Sequence, residues 1–313
     1  MKVSIVTAYY NRRKLFYNTL VKLRHSTFTD FEVIAVDDGS DEENRLEDLE
    51  KEFPFLKVIR LEPKDKWYGN ACIPFNIGFR AAKGEIVVLQ NPECLHYGNV
   101  LGYVVENLKP NDYISFACYS LDKETTDMLD GSNVAAIDST MTIDFQPRKV
   151  GFDGDLGWYN HSTIHPRGFH WGAAIHRDDL MALRGFDERF AMGIAYDDCE
   201  FLFRIKQKGM NFKIVDHPCV LHQNHYYFDQ ERKRLLNQAY HKPDGAFLWK
   251  KNEYLFNQTV KKKKWKIEAL SKREIMIYDF FLTRKLKTRG YLNSLYLRIK
   301  ARITIIKQKW ASL

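Results

Sequence analysis

Over the first ninety residues, short apolar runs alternate with stripes at helical spacing. Val3 to Thr7 predicts a strand, and Arg12 to Arg24 predicts a helix with Leu15, Phe16, Leu20 and Leu23 on one side. Phe31 to Val36 predicts a second strand, ended by the turn Asp37-Asp38-Gly39-Ser40. Glu42 to Phe53 predicts a helix that stops before Pro54, and Leu56 to Leu61 a third strand. Asn76 to Ala82 reads as the end of another helix, closed by Lys83-Gly84 before a fourth strand at Glu85 to Gln90. Strands that read as near-continuous apolar runs and alternate with helices predict the α/β class, with a parallel sheet covered on both faces.

In such sheets ligands bind beyond the carboxyl ends of the strands. Strand one ends in Thr7-Ala8-Tyr9-Tyr10-Asn11-Arg12, strand two in Asp37-Asp38-Gly39-Ser40 and strand four in Asn91-Pro92-Glu93. All three lie on one edge and can converge on one ligand. No GxGxxG follows strand one and no GxxxxGK[ST] occurs, which disfavours a dinucleotide site and a P-loop. Asp37 and Asp38 read either as a capping turn or as carboxylates that accept the N–H of a uracil-type base, with Tyr9 stacking on it and Thr7 as a small polar contact. Glu93 reads either as an ordinary acid or as a ligand for Mg²⁺ or Mn²⁺.

Two later stretches carry chemistry. Asp197, Asp198 and Glu200 stand at the start of a helix predicted over Phe201 to Lys208, where acids are also favoured by the helix dipole. His222 and His225 lie three apart after the apolar Cys219 to Leu221, a spacing open to a metal contact or a structural role. The stretch from Asp122 to Gly168, with its Gly-rich Gly151 to Gly157, reads as a mobile region over the site or as an inert surface excursion.

The 313 residues are 45% hydrophobic, consistent with one large domain or one domain with an appendage. No run of about 18 apolar residues occurs, so no transmembrane helix is expected, and Met1 to Val6 lacks the pattern of a signal peptide. The five cysteines form no CxxC pair, which argues against a disulfide framework or structural zinc and for a reducing cytosol. The formal charge of +8 is uneven: Lys261 to Lys309 holds 16 Lys and Arg against three acids, so the body is mildly acidic. Leu292, Leu295, Ile299, Ile303, Ile306 and Trp310 form a helical stripe beside these cations. Such a basic amphipathic helix suits an anionic membrane surface, or it packs its stripe on the body. The basic charge carries no nucleic-acid fold signature, so a nucleic-acid partner is disfavoured.

Taken together, VSIVTAYYNR, FEVIAVDDGS, FNIGFRAAKGEIVVLQNPE, GAAIHRDDLMALRGFDERF and YDDCEFLFRIKQKG resemble the family 2 glycosyltransferases of the GT-A fold, over about residues 1 to 225. The resemblance implies a GT-A domain over 1–240, followed by a basic amphipathic helical C-terminal region over 241–313. It implies that Thr7, Tyr9 and Asp38 hold the nucleotide base with Asp37 nearby, and that Arg12, Asn76 or Arg80, and Asn91 help place the sugar nucleotide. Trp171 and Gly172 would lie toward the acceptor. Asn91-Pro92-Glu93 stands where the family has DxD, so the first acid is lost and the last is one methylene longer. Asp198, beside Asp197, matches the catalytic base, and His222, then His225, a metal-contacting His. The implied activity is an inverting, Mn²⁺- or Mg²⁺-assisted transfer from a nucleoside diphosphate sugar, UDP-linked, to a glycan or lipid-linked glycan. The expected location is cytoplasmic, peripheral on the membrane face. The alternative is a non-catalytic sugar-nucleotide or glycan-binding protein on the same scaffold. A nucleotidyltransferase is disfavoured, because Thr7 to Arg13 lacks the Gly-rich loop that class needs.

Overall fold

A computed structural model of the chain describes residues 1–140, 143, 145, 146, 148–151, 156–225 and 245–288. Its first half is the predicted parallel unit. Strands β1 (Val3–Tyr9), β2 (Phe31–Asp37), β3 (Leu56–Arg60) and β4 (Ile86–Gln90) lie in the order β3-β2-β1-β4, all parallel. Helices α1 (Arg13–Arg24), α2 (Leu49–Glu52) and α3 (Cys72–Ala81) connect them.

Alternate side chains of these strands enter two separate cores. Ile5, Val33, Ala35 and Val88 join Phe16, Leu20 and Phe53 on one face, while Val6, Ile34, Val87 and Leu89 join Phe75 and Phe79 on the other. Both faces of β1, β2 and β4 are therefore covered, which is why these strands are near-continuous apolar runs; the polar pair Ser4 and Glu32 is buried too, bonded to each other at 2.7 Å. Each fully buried side chain of this kind contributes about 1.5–3 kcal/mol of hydrophobic stabilisation.

Beyond β4 the sheet becomes mixed. Strand β8 (Gly172–His176) pairs antiparallel with β4 and with β6 (Asp112–Ser120). Strand β9 (Asn211–His222) runs parallel to β6, and β5 (Cys94–Tyr97) closes the edge antiparallel to β9. Strand β7 (Gly157–Asn160) pairs with β6 off this path. The flanking helices are α4 (Val100–Asn107), α5 (Lys123–Met128), α6 (Ile137–Thr140), α7 (Arg177–Leu183) and α8 (Asp197–Gln207). The region from Asp122 to Gly168, expected as a loop, thus contributes α5, α6 and β7.

The helix expected over Glu42 to Phe53 is broken. A 3-10 turn at Glu42–Asn44 and the single helical turn α2 flank an extended Arg45. Carbonyls that a continuous helix would use are taken from outside: the Tyr9 hydroxyl donates to Asn44 O at 2.7 Å, and the Arg13 guanidinium donates to Arg45 O.

After residue 244 come α9 (Gly245–Lys262) and α10, a helix over 272–288. They are packed onto the body. Phe190, Leu255 and Leu282 form a small buried cluster, and Tyr196 lies 5.0 Å from Trp249 and 5.7 Å from Phe256, ring to ring. The stripe Leu292 to Trp310 lies outside the described residues. No helix among the described residues is long and apolar enough to cross a membrane. All five cysteines are free thiols.

Candidate active site

At the carboxyl edge of the sheet a cleft of about 380 Å³ is lined by Arg12, Asn91, Glu93, Arg167, Trp171, Asp198, His222 and His225, among others. Sheet register brings its centre together. Cys94 in β5 stands opposite His222 in β9, so Glu93, one residue earlier, meets His222 directly. The Gln223 backbone N–H and side-chain amide both donate to Glu93 O at 3.1 Å, fixing that main chain.

Glu93 is 1% exposed, and a carboxylate so buried needs partners. It has three. Arg12 Nη1 is 3.0 Å from Oε2, His222 Nε2 is 3.1 Å from Oε1, and His225 Nδ1 is 3.9 Å from the same oxygen. Burial pushes the Glu93 carboxyl up, but the Arg12 guanidinium and the hydrogen bond with His222 outweigh it and hold the group well below its usual range. Burial drives the His225 imidazole down to about 3, so it is neutral and keeps a lone pair. His222 Nδ1 is buried without a hydrogen-bond partner. One carboxylate oxygen and two imidazole nitrogens lie within 4.8 Å of one another, a donor set that fits a divalent first-row ion.

Asp198 lies on the same cleft, in the first turn of α8, where its carboxylate accepts the Cys199 N–H at 2.7 Å. Burial and, next, the charge of Asp197 raise its pKa to about 7. That suits a group that must take up a proton near neutrality. Asp197 accepts a hydrogen bond from Asn70 Nδ2 at 3.0 Å and is absent from the cleft lining.

The turn that delivers these acids is unusual. Ala195 and Tyr196 both have left-handed backbones, φ 58° and 68°. Asn252 of α9 is fully buried against this turn, and its amide donates to Phe190 O at 3.1 Å and Ala195 O at 2.8 Å. Lys251 adds a 2.6 Å bond to Met192 O and an ion pair with Asp279. Gly193 fits under Asn252 only because it has no Cβ, which would sit 2.0 Å from the Asn252 side-chain oxygen.

Residues 4–172 match the sequence profile of Glycosyl transferase family 2. The chain belongs to this family. Among family relatives, chondroitin synthase of Escherichia coli is 26% identical over 302 residues, 90% of this chain and 42% of that protein. An uncharacterized glycosyltransferase of Nostoc sp. is 27% identical over 144 residues, 45% of this chain and 41% of that one. The chain therefore spans about two fifths of the length of the curated relatives it matches. Among solved structures, S. aureus TarS 1–349 in complex with UDP superposes with a TM-score of 0.50 at 15% identity, covering 78% of this chain and 73% of that one. A mannosyltransferase from Pyrobaculum calidifontis, in complex with GDP-Man and Mn²⁺, gives 0.48 at 19% identity, covering 77% and 64%. The mixed, helix-flanked sheet is the GT-A glycosyltransferase fold.

Within this family 2 fold, several residues expected at the ligand serve the scaffold instead. Tyr9 is fully buried, packs on Phe16 at 5.4 Å and hydrogen-bonds the main chain of Asn44, so it cannot stack on a base. Asp37, also fully buried, accepts the Ser40 N–H at 2.8 Å and pairs with Arg60 at 2.7 Å, bracing the turn. Asn76 ties α3 to the turn after α7 through Phe186 and Glu188, away from the cleft. Gly172 lies within β8, where a Cβ would meet Val220 Cγ1 at 2.8 Å; it makes room for β9, not for a ligand. Thr7 is buried in β1 with its hydroxyl unpartnered.

Asp38 remains at the sheet edge, held by Lys66 Nζ and the Tyr68 hydroxyl, each at 2.6 Å. Lys66 also lies 5.2 Å over the half-exposed Tyr10 ring. Tyr10, Lys66 and Tyr68 were not anticipated. Neither were Tyr159, His165 and Arg167, which line the cleft, with Arg167 Nε 2.6 Å from His165 Nε2. Because β1 is buried on both faces, no alternation in the sequence separates Tyr10 from Tyr9, and the region from Asp122 to Gly168 offered no signal for the others.

Proposed function

We propose that the chain transfers a sugar from a nucleoside diphosphate sugar, UDP-linked, to a hydroxyl of a glycan or lipid-linked glycan, with inversion. The observation that carries this reading is one cleft holding both a charged, metal-competent cluster (Glu93, His222, His225) and a carboxyl poised near neutrality, Asp198.

Asp198 takes the proton of the acceptor hydroxyl. The resulting nucleophile attacks the anomeric carbon as the bond to the diphosphate breaks on the opposite side, so one in-line displacement inverts the centre. Proton removal by a placed carboxylate typically contributes about 10²–10⁴-fold. Arg12, beside Glu93, brings positive charge to the diphosphate end. Asp38, with Tyr10, Lys66 and Tyr68 around it, receives the base, and Trp171 shapes the acceptor side. Glu93, His222 and His225 would hold a divalent ion, which supplies positive charge to the departing diphosphate when bound. The two imidazoles favour Mn²⁺ over Mg²⁺, which prefers oxygen ligands. Asn91 offers a neutral polar contact to the donor where a second acid would stand. The basic residues of 261–313 favour an anionic membrane, placing lipid-linked acceptors and the cytoplasmic membrane face within reach.

Asp198→Asn should abolish transfer while donor affinity, read by calorimetry with a panel of sugar nucleotides, persists. Normal transfer by that variant would remove Asp198 from its role. Excess chelator should stop the parent enzyme and Mn²⁺ should restore it; full activity in chelator would remove the ion. Donor binding with neither hydrolysis nor transfer in the parent chain would identify a binding protein on this scaffold.

A further inference from the structure

Helix α10 has two faces of opposite sense. Ile275 and Leu282 turn inward with Asp279, which pairs with Lys251 at 2.6 Å. Outward, Met276, Ile277, Phe280 and Phe281 are 45%, 47%, 60% and 63% exposed. They recur at steps of three and four and so form one ridge along the helix. A contiguous apolar ridge of this kind on a protein surface marks a contact site.

Its surroundings are cationic. Lys272 and Arg273 line the shallow groove formed by the four apolar side chains, about 580 Å³. Ile277 and Phe281 also wall a neighbouring cavity of about 720 Å³, which receives Lys262, Lys264 and Lys266. Of the acids nearby, Glu274 takes the Ser271 N–H and hydroxyl at 2.7 Å each, Asp279 faces inward, and Glu268 shares the cavity with the lysines. Residues 261–288 hold ten Lys and Arg against these three acids. An apolar ridge rimmed by cations matches acyl chains below a layer of phosphates; a purely apolar protein partner would leave those cations without counter-charge.

We propose that this face is a lipid-binding surface. The ridge Met276, Ile277, Phe280 and Phe281 enters the acyl boundary of an anionic membrane, while Lys262, Lys264, Lys266, Lys272 and Arg273 meet lipid phosphates. The proposal rests on the anionic-membrane reading above and gives it a defined site; it is independent of the chemistry in the cleft. Interfacial helices of this build lie about 5–10 Å deep, and their surface cations add electrostatic attraction to anionic lipid.

The test is co-sedimentation of the full chain with vesicles of phosphatidylcholine alone or mixed with phosphatidylglycerol. The chain should bind the anionic vesicles, weaken as salt rises, and ignore the neutral ones. F280S/F281S should weaken partitioning by at least about tenfold, and K264E/K266E should also lower it. Both pairs lie outside the cleft and at exposed positions or a cavity rim, so melting temperature and transfer to a soluble acceptor should match the parent. Full-strength binding by F280S/F281S would overturn the proposal. So would absence of vesicle binding together with a concentration-dependent dimer that F280S/F281S disrupts, which would put a second copy on this face. Failure of transfer with vesicle binding intact would overturn the reading of the cleft and leave this one standing.

Discussion

Asp198 and Asp197 are adjacent acids in different surroundings: Asp198 lines the cleft, and Asp197 accepts a hydrogen bond from Asn70. The raised pKa of Asp198, about 7, comes first from burial and then from the Asp197 charge. As a base it must be ionised, so kcat/KM should fall as pH drops below about 7. Asp197→Asn keeps an oxygen for the Asn70 bond and removes the charge, so this acidic limb should move to lower pH. A pH profile of the variant checks it; an unmoved limb would mean the two acids do not interact. The same shift has a cost in stability. A carboxyl whose folded pKa lies above its unfolded one destabilises the fold progressively as pH rises from its unfolded pKa through its folded one. At pH values above 7, Asp198→Asn should therefore melt higher than the parent, by roughly 2–6 °C, while transferring no sugar. At this scale the sequence was legible where chemistry is local. Glu93, Asp198, His222 and His225 were named from residue type and spacing, and they meet in one cleft. Asp37 was left open between a turn and a base contact, and Tyr9 was placed at the base, because a polar tip at a strand end reads the same whether it points to solvent or braces a turn. Only the direction of the side chain separates the buried Tyr9 from the exposed Tyr10.

The elements that matter most for the cleft are the left-handed turn before α8 and the helix that pins it. Two consecutive non-glycine residues in the left-handed region cost about 1–3 kcal/mol each and persist only where neighbours fix them. Asn252 does this by binding the carbonyls of Phe190 and Ala195. Asn252→Ala should leave both carbonyls unsatisfied, costing roughly 2 kcal/mol in denaturation experiments. It should also lower kcat by about tenfold or more with donor affinity within about twofold, because small misplacements of a base are costly while the donor half of the cleft is untouched. Equal losses in kcat and donor affinity would show a general loosening instead. Strands in the first ninety residues were readable because burial on both faces writes itself as near-continuous apolar runs, and helix α1 because its apolar stripe recurs at helical spacing. The break between Glu42 and Phe53 was not, because its cause, the Tyr9 and Arg13 side chains capturing the carbonyls of Asn44 and Arg45, is tertiary. For the same reason the antiparallel half of the sheet left no periodic signal: its pairings join segments as distant as Cys94 and His222.

For the molecule as a whole, the charge division of the sequence, a mildly acidic body and a basic end, left open whether the C-terminal region packs on the body or meets a membrane. Its described part, residues 245–288, packs on the body. Helices α9 and α10 bury Leu255 and Leu282 against Phe190, hold Met192 through Lys251, and pin the turn ahead of Asp197 through Asn252. Trp265 joins the core under α3, and Lys272 lies 5.7 Å over the Trp67 ring, so the connection between the two helices is itself part of the body's surface. A chain ending at residue 240 should therefore lose more than a membrane contact. It should expose Phe190, release the left-handed turn and melt lower than the full chain. Its transfer to a soluble acceptor should drop by about 10²-fold or more, the scale expected when a catalytic group is held about 1 Å out of place. F280S/F281S in the full chain should leave that soluble transfer intact. Comparing the two separates the inner face of α10, which packs toward the turn before α8, from its outer face, proposed above to meet lipid. If the shortened chain kept full soluble activity, the C-terminal helices would be accessories to location alone, and Asn252 would be a structural contact with no hold on Asp198.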